Sequence, residues 1–411
     1  MNTRNEEQSS LDSIWESKDP IFANKELLDI EHIPEEERII GREDEISNLA
    51  NSVHPAIRGD KPRNTLIYGK TGIGKSLVAK HVTQSAEEFA RDQGTKLDRA
   101  YIDCTQANTE TQVVIKLART FNCSDETDIS VPTTGLSTST YYNRLWKILD
   151  ELHDVVIIIL DEVDKLQENN VLMQLSRAAE AGKIKTCKVG ILAISNKISF
   201  KKSLGERVQS SLQERELIFP PYDANQLNEI MRHRQDAFRE DVLTDDVIPL
   251  AAAFAAQEHG DARKALDILR NAGEIAKDIG SDVVSGEHVR DAREKADIDR
   301  FSKLLQDQPV QSKAVVYALW SLADGSKEKE FSTREIYEQY KKLTQSLEID
   351  HLSQRRMADR LSELVFLDIL GATDRVGRGR GKGVTNIYYL LEDPNVVQNA
   401  IESGHRFSPE E

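Results

Sequence analysis

Residues 69–76 read Gly69-Lys70-Thr71-Gly72-Ile73-Gly74-Lys75-Ser76 and match the phosphate-binding pattern G-x-x-x-x-G-K-[ST] at every fixed position. A β-rich stretch precedes this loop and a helical pattern follows it, which is the order that the motif requires. Glycines let backbone N–H groups turn toward phosphate oxygens, and the positive end of the next helix adds attraction. Lys75 can reach the β- and γ-phosphates, and Ser76 can ligate Mg²⁺. The loop therefore predicts that all eight residues bind a nucleoside triphosphate.

The bulk composition is that of a soluble globular protein. The chain has 411 residues, of which 39% are hydrophobic and 30% charged, and this length suggests two to four domains. Its apolar runs, such as 155–160, are far too short to span a bilayer. The first residues carry no secretion signal, and the three cysteines, odd in number and without metal-ligand spacing, suit a reducing cytosol. We expect a cytoplasmic protein without a membrane partner.

Charge is distributed unevenly along the chain. The formal net charge is −16, a sign that does not favour nucleic-acid binding, because phosphate contacts need Lys and Arg. Residues 1–38 carry eleven acids against four bases, whereas residues 375–382 carry four cations and no acid. We expect 1–38 to form an acidic, flexible arm and 375–382 to form a local basic element on an acidic protein.

Strands and helices alternate from residue 39 to residue 222. The β-rich segments lie at residues 64–68, 100–103, 155–160, 189–194 and 216–219. The third and fourth segments are apolar throughout, as strands are when helices cover both faces of a parallel sheet. The pattern predicts an α/β subdomain with a mainly parallel sheet around the phosphate loop.

The rest of the chain is mainly helical. Residues 223–305 predict a helical lid whose helices start at Asp223, Thr244 and Asp261. Residues 306–392 predict a winged-helix domain, because three helical segments precede a Gly/Arg-rich turn and a strand. These segments lie near 312–322, 333–343 and 353–367, and the strand at 385–391. Residues 393–411 are expected to be a tail.

Two acids follow the buried strand 155–160 directly. Asp161 and Glu162 lie at its carboxyl end, where ligands bind in parallel α/β sheets. We assign Asp161 to the Mg²⁺ side, together with Ser76, and Glu162 as the general base that deprotonates the attacking water. A solvated acidic loop is the alternative, but an apolar strand downstream of a phosphate loop argues against it.

The next strand, 189–194, ends in Ser195-Asn196. A neutral amide at this position can hold the attacking water or a γ-phosphate oxygen. Ser-Asn is also a common turn pair, so the motif alone indicates little. Its place one strand after the acid pair favours a catalytic role for Asn196.

This order of phosphate loop, Asp-Glu strand end and strand-end Asn resembles that of AAA+ ATPases. The resemblance implies that Arg207 supplies an arginine finger and that Arg263 is the lid arginine of sensor 2. A guanidinium suits both roles because it is permanently charged and forks onto oxygens. Each arginine alone would be interpreted as a surface residue. Glu206 can also tether Arg207 within its own chain, so action in cis or in trans stays open.

Over residues 39–392 the chain resembles one AAA+ family in particular, the archaeal replication initiators. They are single-chain relatives of the largest origin-recognition-complex subunit and of the eukaryotic cell-division-cycle helicase loader. The resemblance lies in residues 41–43, 219–222 and 260–269. It implies ATP, ADP and Mg²⁺ as cofactors and slow hydrolysis as a switch. The implied partners are origin duplex DNA, other initiator subunits and the replicative minichromosome maintenance helicase. We also predict that Tyr222 binds the nucleotide. Lys197, which follows Asn196, departs from the family pattern.

The predicted winged helix carries two candidate DNA-binding elements. The third helix opens with Gln354, Arg355 and Arg356, where a recognition helix meets base edges. The later turn places four cations among glycines that allow close approach to phosphates; they are Arg375, Arg378, Arg380 and Lys382. A solvated helix face is the alternative for the first cluster, but the two together favour duplex binding. Four phosphate contacts would give a log–log salt slope of about −3.6.

Residues 123–142 are a further candidate for DNA contact. The segment is long and polar for an α/β connection, and the family carries a DNA-contacting insertion between the phosphate loop and the acid strand. It offers hydroxyls and the nearby Arg144 but few cations. A plain connecting loop is an equal alternative.

Two functions remain open besides an ATP-dependent, origin-binding initiator. One is a signalling or transcription-regulating switch ATPase. The other is an AAA+ motor that acts on protein partners through its C-terminal unit. The glycine–arginine turn argues against the motor, and a preference for origin duplex over random duplex would favour the initiator.

Overall fold

Two compact units, Met1–Gly286 and Glu287–Glu411, make up the chain in the computed structural model. The structure describes residues 19–29, 39–212, 215–258, 260–324, 326–375 and 385–403. Each unit has its own hydrophobic core. None of the helices in these ranges combines the length and apolar character that a bilayer crossing needs.

A five-stranded parallel sheet forms the centre of the α/β part of the first unit. Its strands are β1 (Thr65–Tyr68), β2 (Leu97–Asp103), β3 (Val155–Asp161), β4 (Lys188–Ser195) and β5 (Arg215–Ile218). The spatial order is β2-β3-β4-β1-β5. Every residue of β3 is buried, as the apolar run 155–160 predicts for its first six residues. Strand β2 begins three residues before its predicted start, because this edge strand carries the polar Asp98 and Arg99 on half-buried positions.

Helices pack around this sheet. They are α1 (Glu43–Val53), α2 (Lys75–Asp92), α3 (Glu110–Thr120), α4 (Ser124–Thr127), α5 (Thr138–Leu152), α6 (Asn170–Ser176), α7 (Phe200–Ser203) and α8 (Glu206–Leu212). Helix α2 starts directly from the phosphate loop, with Gly74 as its N-cap at a φ of 87°. Glycine reaches this left-handed conformation without strain, so the loop can turn sharply into the helix.

The lid of the first unit consists of α9 (Ala224–Arg232), α10 (Val247–Gln257) and α11 (Ala262–Asp278). Asp223 and Asp261 cap α9 and α11 by accepting backbone N–H groups, as predicted. The predicted helix start at Thr244 is wrong, because Asp246 is the N-cap residue of α10. The hydroxyl of Thr244 instead donates to Asp246 at 2.6 Å.

Residues 19–29, called the strap below, pack against the lid, so the prediction of a flexible arm over 1–38 is wrong for this segment. Ile21 and Phe22 are buried, and the ring of Phe22 lies 5.0 Å from that of Phe238. The N–H of Ala23 donates to the carbonyl of Ala237 at 2.9 Å. Burial of these two large apolar side chains stabilises the contact by roughly 4 kcal/mol. This is enough to hold the segment on the lid although its composition is acidic. Residues 1–18 and 30–38 lie outside the described ranges.

The second unit has the predicted winged-helix architecture. Its helices are α12 (Gly286–Gln306), α13 (Val310–Ala323), α14 (Thr333–Ser346), α15 (Gln354–Phe366) and α16 (Pro394–Ser403). The first residue of α12, Gly286, is the last residue of the first unit. Strands β6 (Phe331–Ser332), β7 (Leu370–Arg375) and β8 (Thr385–Leu390) form an antiparallel sheet in the order β6-β8-β7. The sequence predicted strand β8 but not the two-residue strand β6.

The predicted range of this domain, 306–392, is too short at both ends. Phe301 and Leu305 of α12 belong to the core of the second unit. Residues 393–411 were predicted to be a tail, yet α16 lies there and buries Val397 completely in the same core. The short helix 394–403 carries apolar residues at helical spacing, which the prediction overlooked.

Candidate functional site

The phosphate loop holds a buried ammonium group. Lys75 is 6% exposed, and its Nζ donates to the carbonyls of Gly69 at 2.9 Å and Lys70 at 2.6 Å. It also donates to Oδ1 of Asn196 at 2.8 Å. Burial lowers the pKa of Lys75 to about 8, although the charge of Asp161 opposes the shift. A buried cation that rests on neutral oxygens is well placed to bind an anion.

Asp161, at the end of β3, is the centre of a hydrogen-bond cluster. Its Oδ2 accepts the hydroxyl of Ser76 at 2.5 Å and the hydroxyl of Tyr101 at 2.7 Å. Its Oδ1 accepts the backbone N–H of Glu162 at 2.9 Å. Glu162 has a φ of 49°, an unusual conformation for a residue with a side chain. This left-handed turn ends the strand and leaves Glu162 lining the same cleft as Asp161.

Asn196 follows β4 and meets the loop through Lys75, which brings the two strand ends together. The preceding Ser195 donates to Oδ1 of Asp164 at 2.9 Å, and Lys197 pairs with Oδ2 of Asp164 at 3.3 Å. Burial alone would raise the pKa of Asp164, but these hydrogen bonds lower it overall. Lys197, which departs from the family pattern, therefore anchors the strand end that carries Asn196.

The lid closes onto the phosphate loop. Arg263, in the first turn of α11, lines the same cleft as Lys75 and adds to the lowering of its pKa. The N–H of Ala262 donates to the carbonyl of Gly72 at 3.0 Å. A Cβ on Gly72 would lie 1.6 Å from the carboxylate of Asp261. The loop and the lid thus approach so closely that only glycine fits there.

The cleft between these elements has a volume of about 670 Å³. Most of the residues predicted to bind nucleotide line the polar part of the cleft. The remaining wall includes apolar side chains from the lid and from the residues before α1; these are Ile39, Ile40, Ile230 and Leu266. Tyr222, which is 5% exposed, also lines the cleft. This size and this mixture of cations with apolar walls fit a nucleoside triphosphate. Ser76 and Asp161 supply the oxygen ligands that Mg²⁺ prefers.

Arg42 is a site residue whose role the sequence did not indicate. Its side chain is fully buried and donates to the carbonyl of Ile73 at 3.0 Å and that of Pro220 at 2.7 Å. The guanidinium also lies 3.7 Å from the ring centroid of Tyr222. Arg42 therefore ties the phosphate loop to the segment that leads into the lid. Its partners are 31 and 178 residues away in the chain, beyond the reach of any local pattern.

Tyr101 is the second residue that the sequence analysis missed. It lies on β2, whose Asp103 pairs in register with Asp161. Tyr101 lies two residues before Asp103, but its sequence position indicates a place near Asp161 only once the strand order is known.

The structure does not bring Arg207 to this cleft. It is exposed on α8 and is absent from the residues that line the cleft of its own chain. Within the described ranges it forms no ion pair with Glu206, so the tether that the sequence allowed is not made. Arg207 is thus available to another molecule.

The candidate DNA-binding residues are only partly described. Gln354, Arg355 and Arg356 are exposed on the first turn of α15, which Ser353 caps. Arg375 ends β7, and nothing is described of its side chain. Arg378, Arg380 and Lys382 lie outside the described residues.

Arg144 is engaged within its own domain. It is half-buried on α5, and its guanidinium donates to the carbonyl of Ser130. The contact fastens the polar loop that precedes the helix. For Arg144 this favours the connecting-loop interpretation of the 123–142 segment over direct contact with DNA.

A parallel sheet with a phosphate loop, an Asp-Glu strand end and a helical lid defines an AAA+ ATPase. The family models agree. An AAA domain model matches residues 58–198, a Cdc6 AAA+ ATPase-type lid domain matches 228–294, and a CDC6 C-terminal winged helix domain matches 303–400. The predicted fold class is confirmed in all three parts.

The chain belongs to the ORC1-type DNA replication protein family, as the sequence resemblance predicted. It is 52% identical to ORC1-type DNA replication protein 4 of Halobacterium salinarum, over 96% of each chain. It is 39% identical to the ORC1-type DNA replication protein of Pyrococcus horikoshii, over 98% of this chain and 96% of that one. Among solved structures it is similar to the Aeropyrum pernix ORC1 protein in complex with DNA, with 38% identity and a TM-score of 0.70. That match covers 95% of this chain and 99% of the other.

Proposed function

We propose that this protein is an ATP-binding replication initiator that recognises origin duplex DNA and helps to recruit or load the replicative minichromosome maintenance helicase. The observation that carries the proposal is the convergence of the phosphate loop, the acid pair, Asn196 and Arg263 in one cleft. A winged helix follows this cleft in the chain. The Aeropyrum pernix ORC1 protein, whose structure was solved in complex with DNA, supports the DNA-binding part.

In this proposal the loop 69–76 and Tyr222 hold ATP or ADP, and Ser76 with Asp161 holds Mg²⁺. The ion, when bound, neutralises charge on the phosphate oxygens. Glu162 takes a proton from the attacking water, and Asn196 orients that water or a γ-phosphate oxygen. Arg263 stabilises the charge that develops during transfer. Hydrolysis is slow and acts as a switch, which fits a site that takes one of its cations, Arg263, from the lid.

Arg207 acts on the nucleotide of a neighbouring initiator subunit in this proposal. Its exposure on α8 and its absence from the residues that line the cleft of its own chain support that role. Mixing Arg207→Ala protein with Glu162→Gln protein tests it, because each supplies what the other lacks. Recovery of ATP hydrolysis in the mixture supports action between subunits, and no recovery at any ratio contradicts it.

DNA binding is assigned to the winged helix. Gln354, Arg355 and Arg356 contact base edges and nearby phosphates, and the wing cations contact the backbone; these cations are Arg375, Arg378, Arg380 and Lys382. The exposure of the first turn of α15 supports the assignment of its three residues.

The test compares duplex DNA taken from beside this protein's own gene with random duplex of equal length. Binding is measured across a salt series with ATP, with ADP and without nucleotide. An origin-binding initiator should prefer the former by about a thousandfold or more. If neither duplex is retained in any nucleotide state at low salt, the proposal fails, and a protein-directed or signalling switch ATPase is the better description.

A further inference from the structure

The carboxylate of Asp161 is held by more groups than the nucleotide-binding motifs supply. Ser76 comes from the phosphate loop and Glu162 from the acid pair, and both donate to Asp161. The remaining donor is the hydroxyl of Tyr101, at 2.7 Å from Oδ2. Tyr101 belongs to none of these motifs.

The position of Tyr101 is well defined by its surroundings. In the β2–β3 pairing Tyr101 lies opposite Ile159 and Asp103 opposite Asp161, so Tyr101 is two residues back on the same side of the sheet. Nζ of Lys80, on α2, lies 3.8 Å from the centroid of the Tyr101 ring, a cation–π contact that restrains the ring. Tyr101 is 37% exposed and lines the cleft.

Oδ2 of Asp161 accepts hydrogen bonds from two hydroxyl groups, those of Ser76 and Tyr101. The two hydroxyls differ in their proposed roles. The proposed role of Ser76 is to ligate Mg²⁺ through its hydroxyl oxygen, so the position of this group would be set by the ion as well as by its hydrogen bond to Asp161. The hydroxyl of Tyr101 has no such second role. A carboxylate turns easily about its last bond, so a fixed donor is what keeps its oxygens aimed.

We infer that Tyr101 is a positioning residue of the proposed ATPase site, and that it orients the carboxylate of Asp161 for the Mg²⁺–nucleotide complex. The inference rests on the proposed function, because it needs Asp161 to act on the metal side. Partners that orient a ligand carboxylate from outside are the general means by which proteins tune metal affinity.

The test uses Tyr101→Phe, which removes one oxygen and keeps the ring. The matched control is Tyr142→Phe, because Tyr142 also donates to a carboxylate, that of Glu110 at 2.8 Å, but does not line the cleft. Binding of a ribose-labelled fluorescent ATP is measured in EDTA and then as a function of free Mg²⁺. Hydrolysis and the thermal unfolding midpoint are measured in parallel.

We expect Tyr101→Phe to raise the Mg²⁺ concentration that gives half of the Mg²⁺-dependent change in affinity by about tenfold, with the affinity in EDTA within about twofold of wild type. Hydrolysis should fall at limiting Mg²⁺ and recover at excess Mg²⁺. Tyr142→Phe should match wild type in both Mg²⁺ dependence and affinity.

Three results would overturn the inference and leave the proposed function intact. They are an unchanged Mg²⁺ dependence in Tyr101→Phe, the same shift in Tyr142→Phe, and an equal loss of affinity with and without Mg²⁺. A wild-type protein that binds no ATP would overturn the proposed function itself, so the two failures are distinguishable.

Discussion

Single side chains decide the chemistry of the cleft, and Lys75 shows why. Its ammonium is buried on the carbonyls of Gly69 and Lys70, which compensate its desolvation only in part, since its pKa falls to about 8. A phosphate group would supply the negative charge that this position lacks. The residue is therefore tuned for a ligand rather than for the stability of the free protein.

Lys75→Ala should abolish ATP binding and leave the fold intact, because the variant removes the buried charge without opening the core. Binding of fluorescent ATP and the thermal unfolding midpoint check both parts. Lys96→Ala, at an exposed position of the same subdomain, is the control and should bind as wild type does. Unchanged affinity in Lys75→Ala would refute the assignment of the phosphate loop.

Glu162→Gln should still bind ATP but lose hydrolysis by at least about a hundredfold, because an amide cannot accept the proton of the attacking water. The backbone N–H of Glu162, which donates to Asp161, is retained in this variant. Single-turnover hydrolysis and nucleotide affinity are the measurements. Normal turnover would exclude Glu162 as the base.

At the scale of elements, a short segment with few apolar residues can pack more firmly on its neighbour than its composition indicates. The strap joins the lid through the Phe22–Phe238 ring contact and through an ion pair between Asp19 and Lys277 at 2.7 Å. The carbon Cζ of Phe22 lies 2.4 Å from where a Cβ of Gly273 would be. Glycine on α11 therefore makes room for the ring.

Phe22→Ala should destabilise the first unit by about 3 kcal/mol, because it removes a buried aromatic ring and leaves a cavity on the lid. Chemical unfolding followed by fluorescence or circular dichroism measures the change. Phe89→Ala is the matched control, since Phe89 is 61% exposed and should change stability by less than about 0.5 kcal/mol. Equal effects in the two variants would mean that the strap does not contribute to stability.

The first turn of α15 allows a second prediction at this scale, which concerns DNA binding. The double variant Arg355→Ala with Arg356→Ala should weaken binding and flatten the log–log salt slope by about 1.8 if both contact phosphates. Lys183→Ala with Lys185→Ala removes two exposed cations from the turn before β4 and serves as the charge-matched control. A slope that changes equally in both variants would argue against a recognition role for α15.

At the scale of the molecule, the proposed nucleotide site and the proposed DNA-binding domain lie in different parts of one chain, and the cleft combines residues of the α/β subdomain with residues of the lid. Arg263 comes from the lid, whereas Lys75 comes from the phosphate loop, and both line the cleft. In the proposed function such a two-sided site can report the nucleotide state, because loss of the γ-phosphate would remove a group that both sides are proposed to contact.

Arg263→Ala should keep ATP binding through the loop but remove the dependence of DNA binding on nucleotide. If ATP and ADP differ by about tenfold in their effect on DNA affinity in the wild type, the variant should show a ratio near one. Lys264→Ala, the next residue on the same helix and an ion-pair partner of Glu258, should keep the wild-type ratio. A persistent difference in Arg263→Ala would place the coupling elsewhere.

Much of the fold could be predicted because its signals are local. The apolar run of β3 and the caps Asp223 and Asp261 depend on residues adjacent in the chain, and the structure has them as predicted. The strap and α16 were missed, because a few apolar residues in a polar segment become informative only when their partners are known. Thr244 was mistaken for a cap because it lies two residues before the true one, Asp246.

The sequence by itself determined the nucleotide-binding chemistry, since the loop 69–76 and the pair Asp161-Glu162 act through consecutive residues whose backbone conformation is set locally. Only the tertiary structure decided how these pieces are held. The Arg42–Pro220 contact spans 178 residues, and the Tyr101–Asp161 bond spans 60. Contacts of this kind depend on strand order and on domain closure, which no local spacing encodes.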